Sequence, residues 1–262
     1  MQRWNYTAVY DLPAGRLRTT MPTEDTGKFG AWVRGPREPS GAELVPAATV
    51  IVVRDTVSGL ECLMLRRDSS LAFAGGMWVF PGGRVDPGDY PAGHPEDLGT
   101  AERNAAAREA AEEANVEIEP TALVRFSHWI PPPEAPKRFS TAFFITAAPD
   151  GIEVTVDDRE IRAHLWIHAT EAMARRDAGE IELAPPTFIT LHRLAGYRSV
   201  ADALADSVQR EVEEFATRVS PYGESFVALY HGDAGYESCD AELAGPRHRL
   251  WLGDRWLYER NC

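Results

Sequence analysis

The alternation of apolar and polar positions sets out most of the chain before any chemistry is considered. Ala47 to Arg54 is a run rich in Val and Ile and reads as a buried strand. Asp55-Thr-Val-Ser-Gly59 is a hairpin turn, and Leu60 to Arg67 returns as the second strand. Met77 to Phe80 is a short strand that feeds a Gly82-Gly83 turn. From about Thr100 to Ala114 alanine fills half the positions, which predicts a helix able to pack closely on a sheet, and Pro120 prevents its continuation. Leu123 to Ile130 and Phe139 to Ala147 read as strands flanking a Pro131-Pro-Pro loop. Arg162 to His168 is another strand, followed by a short helix from Thr170 to Asp177. Strands alternating with two helices imply an α/β protein, an α/β/α sandwich around a mixed sheet.

Beyond Trp166 the pattern changes. Pro185-Pro-Thr caps a helix through about Leu194. A second helix is predicted over Val200 to Val219, because Val200, Leu204, Val208, Val212, Phe215 and Val219 recur at helical spacing; this stripe reads as core packing. Phe226 to Tyr230 and Arg249 to Tyr258 read as two or three short strands, with turns at His231-Gly-Asp and Gly253-Asp. Residues 1 to 44 are rich in turn formers and are expected to form an arm lying against the core or a partner subunit, which leaves room for a homodimer. The organisation expected is thus an N-terminal arm (1–44), a main domain (45–195) and a C-terminal helical and strand extension packed on the core (196–262).

Composition narrows the classes. Of 262 residues, 44% are hydrophobic and 26% charged, as in a globular protein large enough to bury a substantial core. A net charge of −13 argues against a nucleic-acid scaffold, which needs a basic footprint, but permits one nucleotide-sized ligand held by local cations. Cys62, Cys239 and Cys262 are too scattered for a disulfide framework or a zinc site and read as reduced thiols of a cytoplasmic protein. The apolar run Ala47 to Val53 is too short to span a bilayer, and the first residues lack an apolar signal core, so no membrane association is expected.

The candidate chemistry sits on the alanine-rich helix. Glu109, Glu112 and Glu113 stand at i, i+3 and i+4, within one sector roughly 100° wide. Clustered carboxylates repel one another, and a hard divalent cation such as Mg²⁺ or Mn²⁺ relieves that repulsion. Arg108, one turn before Glu112, is placed to pair with it. Upstream, Gly82 and Gly83 let the backbone turn sharply and approach an ion or a phosphate. Arg66 and Arg67 end a strand near this point and either grip a pyrophosphate or are surface charges on an edge strand. His128, His164 and His168 alternate with apolar neighbours and read as strand residues, and Trp78, Trp129 and Phe144 as mostly core.

Taken together, Gly83, Asp89, Arg108-Glu109, Glu112-Glu113 and Val116 resemble the box of the Nudix hydrolases, G-x5-E-x7-R-E-U-x-E-E-x-G-U with U a large aliphatic. Asp89 stands where the family has Glu, eighteen residues separate it from Arg108 where seven are usual, and Asn115 replaces the closing Gly. The added loop is rich in turn formers (Pro91, Gly93, Pro95, Gly99). Leu63-Met-Leu-Arg-Arg67, Phe73-Ala-Gly-Gly76, Val79-Phe-Pro-Gly-Gly-Arg-Val-Asp86 and Leu183-Ala-Pro-Pro-Thr187 are similar to the coenzyme A and acyl-CoA diphosphatase branch, although its second arginine falls on Ala72. The resemblance implies the Nudix sandwich and a pyrophosphohydrolase acting on a small nucleotide diphosphate. It implies a Mg²⁺ or Mn²⁺ site made by the Gly82 carbonyl, Glu109, Glu112 and Glu113, with Arg108 supporting it. Glu112 or Glu160 would be the general base; Arg66, Arg67, Gly83 and Arg138 would contact substrate, Arg138 at a 3′-phosphate or an adenine. CoA or acyl-CoA is the leading substrate; ADP-ribose, NADH or another nucleotide is the alternative, and a non-catalytic binding module a further one.

Overall fold

The computed structural model describes residues 38–70, 74–223 and 225–262. Most of the expected arm, residues 1–37, and Ala72 and Phe73 lie outside the described residues. In chain order the elements are β1 (Leu44–Thr56), β2 (Gly59–Arg67), β3 (Trp78–Val79), β4 (Gly82–Arg84), α1 (Leu98–Ala114), β5 (Val124–Ile130), β6 (Arg138–Ala147), β7 (Ile161–His168), α2 (Ala169–Asp177), α3 (Pro185–Leu194), α4 (Val200–Gln209) and β8 (Glu213–Ala216). A second group comprises β9 (Arg218–Tyr222), β10 (Ser225–Leu229), β11 (His248–Leu252) and β12 (Trp256–Arg260).

The main sheet is mixed. Its order is β3-β2-β1-β6-β5-β8, with β4 also on β1 and β7 also on β2. β1 and β6 run parallel from Leu44↔Arg138 to Val53↔Ala147, while the hairpin β1–β2 is antiparallel and closes at Thr56↔Gly59. Strand alternation divides the core between the two faces. Val50, Val52, Leu63 and Leu65 meet Ala105, Ala106, Ala110 and Ala114 of α1. Ile51, Val53, Cys62 and Met64 meet Ala172 of α2 and Phe188, Leu191 and Leu194 of α3 on the other face. This is the α/β sandwich that the hydrophobic pattern predicts.

Helix α1 is short of large side chains on its sheet-facing side, so its backbone lies close to β1 and its carboxylates are carried low over the sheet. Its N-cap is Asp97, whose side chain accepts the Thr100 N–H at 3.0 Å. Asn115 ends it in the left-handed region at φ +54°, donating its N–H to Ala111 at 3.0 Å. Asn therefore does here what glycine usually does at that position.

The helix expected over Val200–Val219 is wrong beyond Gln209. Arg210 turns to extended backbone, and Glu213–Ala216 instead pairs in parallel with β5, Ser127↔Glu213 to Ile130↔Ala216. Phe215 lies flat on Trp129, centroids 4.1 Å apart, whereas Val208 and Val212 of the same apolar stripe are exposed. The long-range partner on β5 overrode local periodicity. The tail forms an antiparallel sheet in the order β12-β11-β10-β9, one face of which contributes Ala228, Leu250 and the adjoining Tyr230 to the core shared with Ile51 and Phe126. On its other side Asp233 and Arg249, both side chains fully buried, form a two-pronged pair at 2.7 and 2.6 Å. No helix among the described residues is long and apolar enough to cross a membrane.

Candidate active site

β4 is three residues long, and its two glycines lie close against their neighbours. A Cβ on Gly82 would stand 2.1 Å from Thr49 Oγ1 and 2.5 Å from the Ala48 carbonyl. One on Gly83 would stand 2.3 Å from Glu109 Oε1. Gly82 cannot carry a side chain as the backbone lies, because β1 backbone stands in the way, whereas a side chain at Gly83 would displace the Glu109 carboxylate from its seat. The Gly82 N–H donates to Glu113 Oε2 at 3.0 Å.

Arg108 organises one half of the cluster. Its Nε and Nη2 donate to the two oxygens of Asp89, both at 3.0 Å. Its Nη1 donates to Glu109 at 2.9 Å and to Glu112 at 3.1 Å, and Nη2 also reaches the Arg84 carbonyl at 3.0 Å. Asp89 is 5% exposed and also accepts the Asp86 N–H at 2.8 Å, while Asn104 donates to its carbonyl. The long insertion between Asp89 and Arg108 thus loops out and returns, leaving the pair joined.

Arg67 organises the other half. Its Nη1 lies 3.6 Å from Glu113 Oε1 and its Nη2 donates to Glu160 Oε2 at 3.0 Å. Glu160 is carried on a turn closed by Asp157, whose carboxylate accepts the N–H groups of Arg159, Glu160 and Ile161. Burial pushes the Glu113 carboxyl up to about 8, with the charge of Glu109 adding to it and the Gly82 N–H and Arg67 opposing it. Burial also raises Glu109, against the pull of Arg108.

Seven expected residues are therefore drawn together: Gly82, Gly83, Arg67, Arg108, Glu109, Glu113 and Glu160. Glu112 is attached through Arg108 and is largely exposed. Arg66 is not part of the set. Along β2 the side chains alternate, so Arg67 joins Leu63 and Leu65 on the α1 face, and Arg66 follows Cys62 and Met64 to the opposite one. Arg138, at the start of β6, touches none of the carboxylates; it reaches the carbonyls of Ala42 and Pro131, both at 3.4 Å. His128 is bound up in a separate chain from Glu102 through Arg125 to Ser140. Asp89 was placed in the box by its spacing but given no role, and the structure makes it the anchor of Arg108. Its place, with five residues between it and Gly83, was legible in the sequence, but its bond to Arg108 across the insertion was not.

The acidic side chains of the cluster offer oxygen donors, the kind a hard divalent cation takes. Among the described residues no three acidic side chains converge on one point, because Arg67 and Arg108 stand between them.

The chain is similar to known proteins over the segment that carries these residues. The NUDIX domain family matches residues 43–186, just over half of the chain. The acyl-coenzyme A diphosphatase NUDT19 of Gallus gallus is 29% identical over 147 residues, covering 52% of this chain and 38% of that protein. The putative nudix hydrolase 7 of Caenorhabditis elegans is 27% identical over 184 residues, covering 57% and 60%. The chain therefore spans between about a third and three-fifths of the length of these relatives. Among solved structures, a NUDIX hydrolase from Alicyclobacillus acidocaldarius superposes with a TM-score of 0.56 at 25% identity, over 63% of this chain and 97% of that one.

Proposed function

The chain belongs to the NUDIX domain family, and on that premise we propose that it hydrolyses a nucleoside diphosphate linked to a second moiety, with the diphosphate of CoA or an acyl-CoA as substrate. The observation that carries the reading is the seating of Glu109 and Glu113 on Gly82-Gly83, with Arg108 anchored by Asp89. Substitution at phosphorus depends on positioning and charge neutralisation more than on covalent chemistry. Glu109, Glu112, Glu113 and the Gly82 carbonyl would hold Mg²⁺ or Mn²⁺, which when bound supplies positive charge to the diphosphate and lowers the pKa of water. Arg108 fixes the rotamers of Glu109 and Glu112 through its fork on Asp89. Arg67 presents a planar guanidinium able to hold a phosphate by two bonds. Glu160 or Glu112, both solvent-facing, takes the proton from the attacking water.

The acyl-CoA preference draws on the NUDT19 relatives, and the choice between CoA and ADP-ribose is made by experiment. Turnover of CoA, acyl-CoA, ADP-ribose and NADH with Mg²⁺ and with Mn²⁺, read by product mass, should give phosphopantetheine and adenosine 3′,5′-bisphosphate as the best products. Equal or faster turnover of ADP-ribose would end the CoA assignment and leave the pyrophosphohydrolase standing. Binding without turnover of any of them would favour a non-catalytic binding module. Glu160→Gln and Glu112→Gln, compared in kcat, distinguish the two candidate bases.

A further inference from the structure

We propose that Arg67 is an exchangeable counter-cation, which holds Glu113 and Glu160 in the nucleotide-free enzyme and gives them up to a bound diphosphate, so that nucleotide and divalent cation load together. The inference rests on the diphosphatase reading above and adds to it an order of assembly.

The two arginines of the site differ in how fully they are engaged. Every nitrogen of Arg108 donates a hydrogen bond, two of them to the same carboxylate. That guanidinium is fixed. Among the described residues Arg67 makes one hydrogen bond through its guanidinium, to Glu160. Its approach to Glu113 at 3.6 Å is an ion pair too long for a hydrogen bond, and its Nε is enclosed with no partner. A guanidinium has five N–H donors in a rigid fork, and most of this one's are unused in a half-buried place where an unmet donor is costly. A diphosphate offers what is missing: several acceptor oxygens in a geometry that suits the fork.

The frame around the exchange is rigid. The Arg67 N–H donates to the Met77 carbonyl at 3.0 Å and its carbonyl accepts from Gly76 at 3.1 Å. The Asp68 N–H donates to the Glu160 carbonyl at 2.7 Å, so the backbones at both ends of the Arg67–Glu160 bridge are joined. Glu113 keeps its Gly82 N–H whichever way Arg67 turns. Only side chains need move. In the free state one guanidinium serves two carboxylates and stands where it opposes a cation at both. Once it turns to a phosphate, Glu113 and Glu160 lose their cation and become ligands or bases.

The test measures Mn²⁺ affinity by the electron paramagnetic resonance of free Mn²⁺, with and without saturating α,β-methylene-ADP, for the wild type, Arg67→Gln, Arg67→Lys and Arg66→Gln. In the wild type the nucleotide analogue should tighten Mn²⁺ binding by about 5- to 150-fold, the usual span of coupling between sites. Arg67→Gln should bind Mn²⁺ several-fold more tightly than the wild type when no nucleotide is present, and the gain should disappear when it is. Arg67→Lys, which keeps the charge and the stem and guards against misfolding, should fall between them. Arg66→Gln removes the same charge from the opposite face and should shift both states equally and slightly. Exchange is overturned if the wild type shows no tightening, if Arg67→Gln and Arg66→Gln behave alike, or if the Arg67→Gln gain persists with nucleotide bound. Those outcomes leave the hydrolase reading intact, whereas a wild type that binds no Mn²⁺ in either state overturns both.

Discussion

Glu113 shows how far a single residue can be read from spacing. Its place in E-x-x-E-E announced an acidic helix face, but not that it would be nearly buried, nor that the Gly82 N–H and Arg67 would be its partners. Those depend on how closely α1 lies on β4, which only the folded chain shows. Arg66 and Arg67 are the reverse case: adjacent in sequence and equal in charge, they part because a strand sends alternate side chains to opposite faces. Asp89 has its place in the box by spacing, but its role was hidden for a third reason, since its bond to Arg108 spans nineteen residues across a loop of unrelated composition. The buried charge of Glu113 carries a cost in the metal-free protein, and a carboxyl raised from 4.5 to about 8 measures it as a few kcal/mol. Glu113→Gln keeps the size and removes the charge. It should lower kcat by several orders of magnitude and weaken Mn²⁺ binding, while raising the metal-free Tm at pH 8 and above. Activity near that of the wild type would remove Glu113 from the site.

At the scale of elements, periodicity located β1, β2, β5, β6, β7 and α1, because each carries its own apolar pattern or a cap that the sequence displays, even where the pairing partner is distant, as β6 is for β1. The failure was α4. Val200, Leu204, Val208 and Val212 keep helical spacing, yet Glu213–Ala216 is taken by the open edge of β5, a partner more than eighty residues away that no local window contains. The insertion before α1 gives an element-scale prediction. Residues 92–97 are exposed, and the turns inside the loop bond only to one another, His94 to Pro91 and Asp97 to His94. Removing residues 92–96 and closing the gap with a short Gly-Ser link should leave the fold, and hydrolysis of a small diphosphate, largely unchanged, since loop length alters closure entropy only weakly. Asp97 must stay. Asp97→Ala removes the N-cap of α1 and should cost about 0.5–2 kcal/mol in denaturant unfolding. If the shortened protein fails to fold while Asp97→Ala melts as the wild type does, the loop is structural and the cap is not.

For the molecule as a whole, the question is how far residues 196–262 belong to the same cooperative unit as the sheet. His192 of α3 bears on it, because its ring is packed edge-on to Tyr258 of β12, centroids 5.2 Å apart, and burial holds its pKa below the ordinary imidazole value. A base depressed in the folded state is protonated first in the unfolded one. Its contribution to stability is therefore present above about pH 6.5 and lost as pH falls below it, by at most about 1.4 kcal/mol per unit. His192→Gln should flatten the decline in Tm between pH 7 and 5.5, and an unchanged slope would show that Tyr258 does not shield it. Truncation asks the same question more directly. The NUDIX match ends at residue 186, before α4, β8 and the second sheet begin. In this chain, however, Phe215 covers Trp129, and Tyr230 and Leu250, neither of them exposed, complete the core that holds Ile51, Met64 and Phe126. Burying one such side chain contributes roughly 1.5–3 kcal/mol. Losing three, and exposing the rings they cover, removes an amount comparable to the roughly 5–15 kcal/mol that keeps a typical domain folded. The chain ended at Ala195 should therefore be aggregated or without a cooperative melt, whereas the full chain melts in one transition. A monomeric 1–195 fragment with a Tm within a few degrees of the full chain would show that the extension only rests on the sheet.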